Sequence, residues 1–183
     1  MYKIRNGVAV FIFVLFTYGC AGMQVTSGPS GPSEDDQFGT SFMAYTIKER
    51  LRKPRTIGQP MVVTTFVDLN NLSKSSVFGR VMAEQLLNKL HEAGFTVSEL
   101  RKGKDIFMRQ ELGEMILSRD AHEVLNKSTA DAVLAGTYVA TSDSVIINAR
   151  LLAVNSPLVL SSCSYRLKMT KELEKLLTGE SPF

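Results

Sequence analysis

Side chains able to do covalent or metal chemistry are few in this chain: two cysteines, two histidines and a scatter of carboxylates. His91 and His122 both fall in segments with helical periodicity, far from either cysteine. Neither has a second ligand three or four residues away, so a zinc site lacks its usual raw material. Surface helix positions are expected for both. No Gly-x-Ser-x-Gly elbow occurs to expose a nucleophilic serine. Gly103-Lys104 imitates the end of a phosphate-binding loop, but Ser98 stands where its first glycine should be and Asp105 where Ser or Thr should follow. No metal, no cofactor and no catalytic residue is therefore expected.

Binding chemistry has more to offer. Asp68 and Asn70 follow a buried strand and precede a helix, the place where open α/β sheets take ligands. One reading is an anion or peptide pocket. The favoured one is that Asp68 and the serines from Ser73 to Ser76 cap the helix. Arg80 lies on the polar side of that helix. Ser118-Arg119-Asp120 is either a recognition loop or a helix start with Asp120 as N-cap. Asp68, Asn70, Arg80, Arg119 and Asp120 make up the candidate interaction set. Asn148 and Arg150, on the polar parity of an inner strand, are expected to serve a buried pairing with Asp68 or Asp131.

Residues 1–19 read as a bacterial export signal. Lys3 and Arg5 form a positive start, and Val8 to Phe16 form an apolar run too short for the ~20 residues of a spanning helix. Thr17-Tyr18-Gly19-Cys20-Ala21 resembles a lipobox, in which Cys20 takes a diacylglyceryl thioether and becomes the acylated first residue. Gly19 and Cys20 fit that pattern; Thr17 and Tyr18 depart from it. With Cys20 modified, Cys163 has no partner and is expected to be a small buried residue. Residues 20–37, rich in Ser, Gly and Pro, read as a flexible tether to a membrane. Losing Lys3 and Arg5 with the signal leaves 19 basic and 18 acidic side chains. That balance argues against nucleic acid as a partner, which needs a concentrated basic surface.

The elements that must position these groups follow from periodicity. Residues 38–178 are expected to form one α/β domain with a mixed sheet, its helices packed on the sheet. Phe38 to Arg55 reads as a helix ended by Pro54, with a basic end from Lys48 to Arg55 that suits a helix C-terminus or, more sharply, lipid headgroups. Met61 to Val67 reads as a buried strand. Val77 to Ala93 has apolar residues at three- and four-residue steps and Gly94 where a left-handed cap is wanted. Phe95 to Leu100 closes a strand–helix–strand unit with a parallel pair. Residues 101–120 are hard to assign, and Ala121 to Lys127 reads as a short helix. An antiparallel meander then runs from the sheet's centre to its edge. Its first strand, Val133 to Val139, is apolar or small on both parities, and so belongs in the middle of a covered sheet. The second, Val145 to Ala153, keeps one apolar face, and the third, Leu158 to Leu167, carries serines and Arg166. A last helix spans Thr170 to Leu177.

With those pieces placed, the chain resembles the FlgO family of envelope lipoproteins linked to flagellar assembly and attachment. The resemblance runs from Gln59 to Leu167. It rests on Phe66-Val-Asp-Leu69, Ser75-Ser-Val-Phe-Gly-Arg80, Phe95-Thr-Val-Ser-Glu-Leu-Arg101, Gly113-Glu-Met-Ile-Leu-Ser-Arg-Asp120, Ala130-Asp-Ala-Val-Leu-Ala-Gly-Thr-Tyr138 and Val145-Ile-Ile-Asn-Ala-Arg-Leu151. Asn155-Ser156-Pro157 departs from the acidic-Gly turn expected there. The resemblance implies a non-enzymatic scaffold or binding lipoprotein at the periplasmic face of the outer membrane, with protein partners in the flagellar or envelope machinery. Ala21, rather than Asp, after the lipid cysteine fits that location. The rivals are a general envelope lipoprotein unrelated to flagella and a small periplasmic hydrolase using Asp68 or Asp120. The hydrolase would need a base that no histidine in an expected loop supplies.

Lipidation generates the first prediction. Cys20→Ser should abolish fatty-acid labelling and leave the chain full-length or soluble. An unlabelled wild-type chain that partitions into membranes as the variant does would refute it.

Overall fold

The computed structural model describes residues 30–52, 54–98, 130–154, 156 and 158–179, and elements are numbered over these. The expected export signal, Cys20, the segment holding Arg119 and Asp120, the helix expected at Ala121 to Lys127 and the turn residues Asn155 and Pro157 lie outside them. Helix α1 spans Thr40–Glu49, followed by a 3-10 turn at Pro54–Gly58. Strands β1 (Met61–Val63), β2 (Val67–Asp68) and β3 (Asn71–Ser75) precede helix α2 (Val77–Glu92). The meander is β4 (Ala132–Ala140), β5 (Ser144–Ala153) and β6 (Val159–Lys168), and helix α3 covers Lys171–Thr178.

The sheet is mixed and has β4 at its centre, in the order β3-β2-β4-β5-β6, with β1 also paired to β4. β4, β5 and β6 are antiparallel, and β6 closes one edge. β1 and β2 both run parallel to β4, β1 against Ala132 to Leu134 and β2 against Thr137 to Tyr138. They are two halves of one apolar run, Met61 to Asp68. Every residue of that run from Met61 to Val67 is buried, as its composition requires, yet the ladder opens in the middle.

A glycine explains the opening. Gly136 lies on β4 between the two paired stretches, and a Cβ there would overlap the ring of Phe66. Phe66 therefore lays its ring over Gly136 and turns its backbone away from β4: its amide donates instead to the Gly79 carbonyl in α2, at 3.2 Å. Its carbonyl accepts from the Ser75 hydroxyl at 3.1 Å. A Cβ on Gly79 would overlap that same carbonyl. The strand thus bends between two positions that have no side chain. On the other side of β1, Met61 makes a parallel bridge to Val97. The strand–helix–strand unit is present in that form, with Glu99 and Leu100 outside the described residues.

Burial follows the strand parities. Leu134 and Tyr138 of β4 face α1, α2 and α3 within the main core, with Phe66, Phe78, Met82, Leu86, Ile147 and Leu151. Val133 and Ala135 of the same strand belong to a second apolar cluster with Val62, Ala130 and Val154. Both faces of β4 are thus dry. In β6 the residues Cys163 and Tyr165 are buried while Ser162, Ser164 and Arg166 are exposed. Cys163 is a free buried thiol, and burial pushes its pKa up.

Helix ends are fixed by named groups. Ser76 caps α2 by accepting from the Gly79 amide, and Gly94 follows at φ 95°, the left-handed stop expected of it. Thr170 caps α3 in the same way. The start of α1 is held from two sides: Asp36 accepts from the Phe42 amide at 2.8 Å, and the buried Tyr165 hydroxyl donates to the Phe38 carbonyl at 2.6 Å. The Tyr165 ring fills the space beside Gly39, whose φ of 71° favours glycine. Gln37 donates to Glu172 of α3, so the last residues of the expected tether already touch the domain. At the other end of α1, Lys48 donates to the Ala93 carbonyl at 2.7 Å, pinning α1 to the C-terminus of α2.

Truncation should separate centre from edge. Leu134 is fully buried on the central strand, and Leu134→Ala should cost about 2–5 kcal/mol. Ser162 is exposed on the edge strand, and Ser162→Ala should cost under about 0.5 kcal/mol in urea unfolding. Equal losses would contradict the central place of β4.

Candidate functional site

The β2–β3 hairpin builds the candidate site. Asp68 pairs with Asn71 across a two-residue tip of Leu69 and Asn70. The tip is made rigid from inside. The Asp68 carboxylate accepts the Asn70 amide at 2.9 Å, and the Asn71 side chain accepts both the Ser73 amide and the Ser73 hydroxyl. Such side-chain turns are what Asp and Asn offer the backbone in place of a ladder. The Leu69 amide donates to the Tyr138 carbonyl at 2.8 Å, which ties the tip to the central strand.

This geometry corrects two expectations. Asp68 does not cap α2: its carboxylate closes the hairpin tip, and Ser76 alone supplies the side-chain cap. Ser73 and Ser75 do not open the helix either. With Lys74 between them they belong to β3, an edge strand whose residues are exposed or half-exposed. Polar composition hides this strand from a sequence reading, because an edge strand with one partner needs no apolar face.

Around the hairpin the structure gathers three of the five candidate residues. Asp68 pairs with Tyr138 of β4, Asn70 sits at the tip, and Arg80 extends from the first turn of α2 as an exposed cation. Tyr138 reports the proximity of the two charges. Burial pushes its hydroxyl pKa up, hydrogen bonding with Ser76 counters this, the Asp68 charge adds to the rise and the Arg80 charge opposes it. Burial thus keeps the phenol protonated, and its ring stands edge-on to Phe78 at 5.4 Å. Sequence alone marks Ser76 only as one of several caps and leaves Tyr138 without a role, although Tyr138 ends the Gly-Thr-Tyr motif. Arg119, Asp120 and Cys20, the expected lipid-bearing residue, lie outside the described residues.

Asn148 and Arg150 behave differently from expectation. Arg150 is exposed and forms no ion pair among the described residues, with Asp68, Asp131 or any other acid. Asn148 is half-buried, and its side-chain oxygen accepts from Ser164 at 2.8 Å. Both stand on the sheet face opposite the helices, beside a cavity of about 160 Å³ lined by Leu69, Ala135, Thr137, Asn148 and Arg150. His91 is exposed on α2, as its periodicity implies. Among the described residues no group of three or more His, Cys, Asp or Glu side chains could hold a metal ion. No described helix is long and apolar enough to cross a membrane.

Comparison with known proteins bears on both fold and family. The C-terminal domain of LpoB from Salmonella enterica superposes with a TM-score of 0.50 at 15% identity, over 71% of this chain and 96% of that one. LpoB from E. coli gives a TM-score of 0.52 at 14% identity, over 91% of this chain and 86% of its own. At such identities the likeness concerns the fold alone. No curated protein matches the sequence. The family model for FlgO protein matches residues 41–172, which include the hairpin, α2 and the whole meander. This chain belongs to the FlgO family.

Proposed function

We propose that this chain is a lipid-anchored protein of the bacterial outer membrane that acts by binding, as a scaffold in flagellar assembly or anchoring. Family membership over residues 41–172 supports the setting. The export signal and Cys20 support the anchor. The observation that carries the binding role is the hairpin tip. Leu69 is 50% exposed on a turn locked by Asp68, Asn71 and the Tyr138 carbonyl. A rigid, half-exposed apolar residue ringed by polar ones loses little entropy on contact, which favours recognition. The Asp68 carboxylate is spent on the turn and serves structure.

Complementation of a deletion strain tests this. Loss of the protein should impair swimming or shed filaments while growth stays near normal. Asp68→Asn should restore function, because an amide oxygen can accept the Asn70 amide as the carboxylate does. Asp120→Asn should also restore it. General acid–base groups contribute about 10²–10⁴-fold, so an enzyme using either carboxylate would lose nearly all activity. A normally abundant, correctly localised Asn variant that behaves like the deletion would overturn the scaffold reading.

A further inference from the structure

We infer that the cavity on the sheet face opposite the described helices is a carboxylate-binding subsite for a peptide. Its ligand is a carboxylate beside a small apolar side chain. The site lies across two strands. Thr137 of β4 stands opposite Asn148 of β5, and Ala135 stands opposite Arg150, so the three polar side chains share one face within two residues of each other. Leu69 from the hairpin tip and Ala135 supply the apolar wall.

The polar groups are matched to an anion. Thr137 is 7% exposed, and its hydroxyl has no hydrogen-bond partner among the described residues. Buried polar side chains are nearly always satisfied, so a buried, unpartnered hydroxyl lining a cavity points to a missing ligand. Asn148 has its oxygen occupied by the Ser164 hydroxyl, which leaves its amide N–H groups to donate. Arg150 carries a guanidinium fork without an acid among the described residues. The described lining residues offer three donors and no carboxylate, and the fork matches a carboxylate in two parallel hydrogen bonds.

Size and access fit one end of a peptide. A volume of about 160 Å³ equals roughly five waters, enough for a carboxylate and one short aliphatic group. The exposed Arg150 and the half-exposed Leu69 put the cavity mouth at solvent, so the rest of a longer ligand can stay outside it. A chain terminus and an aspartate side chain present the same carboxylate, and the probes below separate them.

The test uses the full mature chain in detergent, titrated with N-acetyl-Ala-Ala as free acid, the same dipeptide amidated, and amidated N-acetyl-Ala-Asp-Ala. Leu69 methyl shifts report binding. The free acid should bind and the amidated dipeptide should not; binding of the aspartate peptide in addition would assign the site to acidic side chains as well as termini. Arg150→Gln should weaken binding about ten- to a hundredfold, as expected for a lost charge-assisted hydrogen bond. Thr137→Val should weaken binding while leaving thermal stability unchanged or higher, which a purely structural hydroxyl would not do. Arg166→Gln, another exposed cation that donates to Ser144 outside the cavity, should leave binding intact. Equal binding of acid and amide, insensitivity to Arg150→Gln, inorganic phosphate binding as tightly as the free acid, or no binding of any probe would overturn the assignment.

Discussion

The contact on which the fold depends is the seating of the Phe66 ring over Gly136. Phe66 is fully buried, and Gly136 is the one position along β4 that leaves its ring room. An uninterrupted β1–β2 strand would have kept its backbone on β4 throughout. Instead the ring takes the place of a side chain, and the Phe66 amide and carbonyl are satisfied by Gly79 and Ser75. Buried backbone groups must find partners, so leaving the ladder in this way obliges α2 to begin close by. One large side chain and two missing ones therefore join strand, helix and central strand. The segments concerned are also three of those that carry the family resemblance, Phe66 to Leu69, Ser75 to Arg80 and Ala130 to Tyr138.

That junction places the proposed binding surface. Once past Phe66 the chain rejoins β4 for two residues and turns back as β3, so the hairpin tip projects from the end of the central strand. Asp68 faces Tyr138 and the helix N-terminus, while Leu69 leans over the other face beside Thr137. The hairpin is thus a wall shared by a polar cluster on the helix side and a donor-lined cavity on the opposite face. Changes at the junction reach both.

Much of this could be read from residue types. Apolar or small residues on both parities of Val133 to Val139 require a central strand, and the decline in apolar content through Ile147 to Arg166 gives the direction of the meander. Periodicity and Gly94 bound α2 to within a residue. The break in Met61 to Asp68 could not be read, because a continuous apolar run looks the same whether its ladder is whole or interrupted. Its only sign is a glycine on each partner, Gly136 and Gly79, and glycine has many other uses. β3 was hidden by its polarity, and its serines imitate helix caps. Asp68 and Asn70 were located by their place after a buried strand, but their role was not, since one carboxylate can cap a helix or close a turn. Arg150 was expected to be paired because an inner strand suggested burial. It lies on the face that the described helices leave open.

The central claim is that Phe66 and Gly136 are energetically one unit. A double-mutant cycle in urea with Gly136→Ala, Phe66→Val and the pair measures this directly. Gly136→Ala alone should cost about 1–3 kcal/mol through overpacking against the ring. In the pair that cost should largely vanish, because the added methyl enters space the ring has left, giving a coupling of about 0.5–3 kcal/mol. Additivity of the two single losses to within about 0.3 kcal/mol would contradict the account.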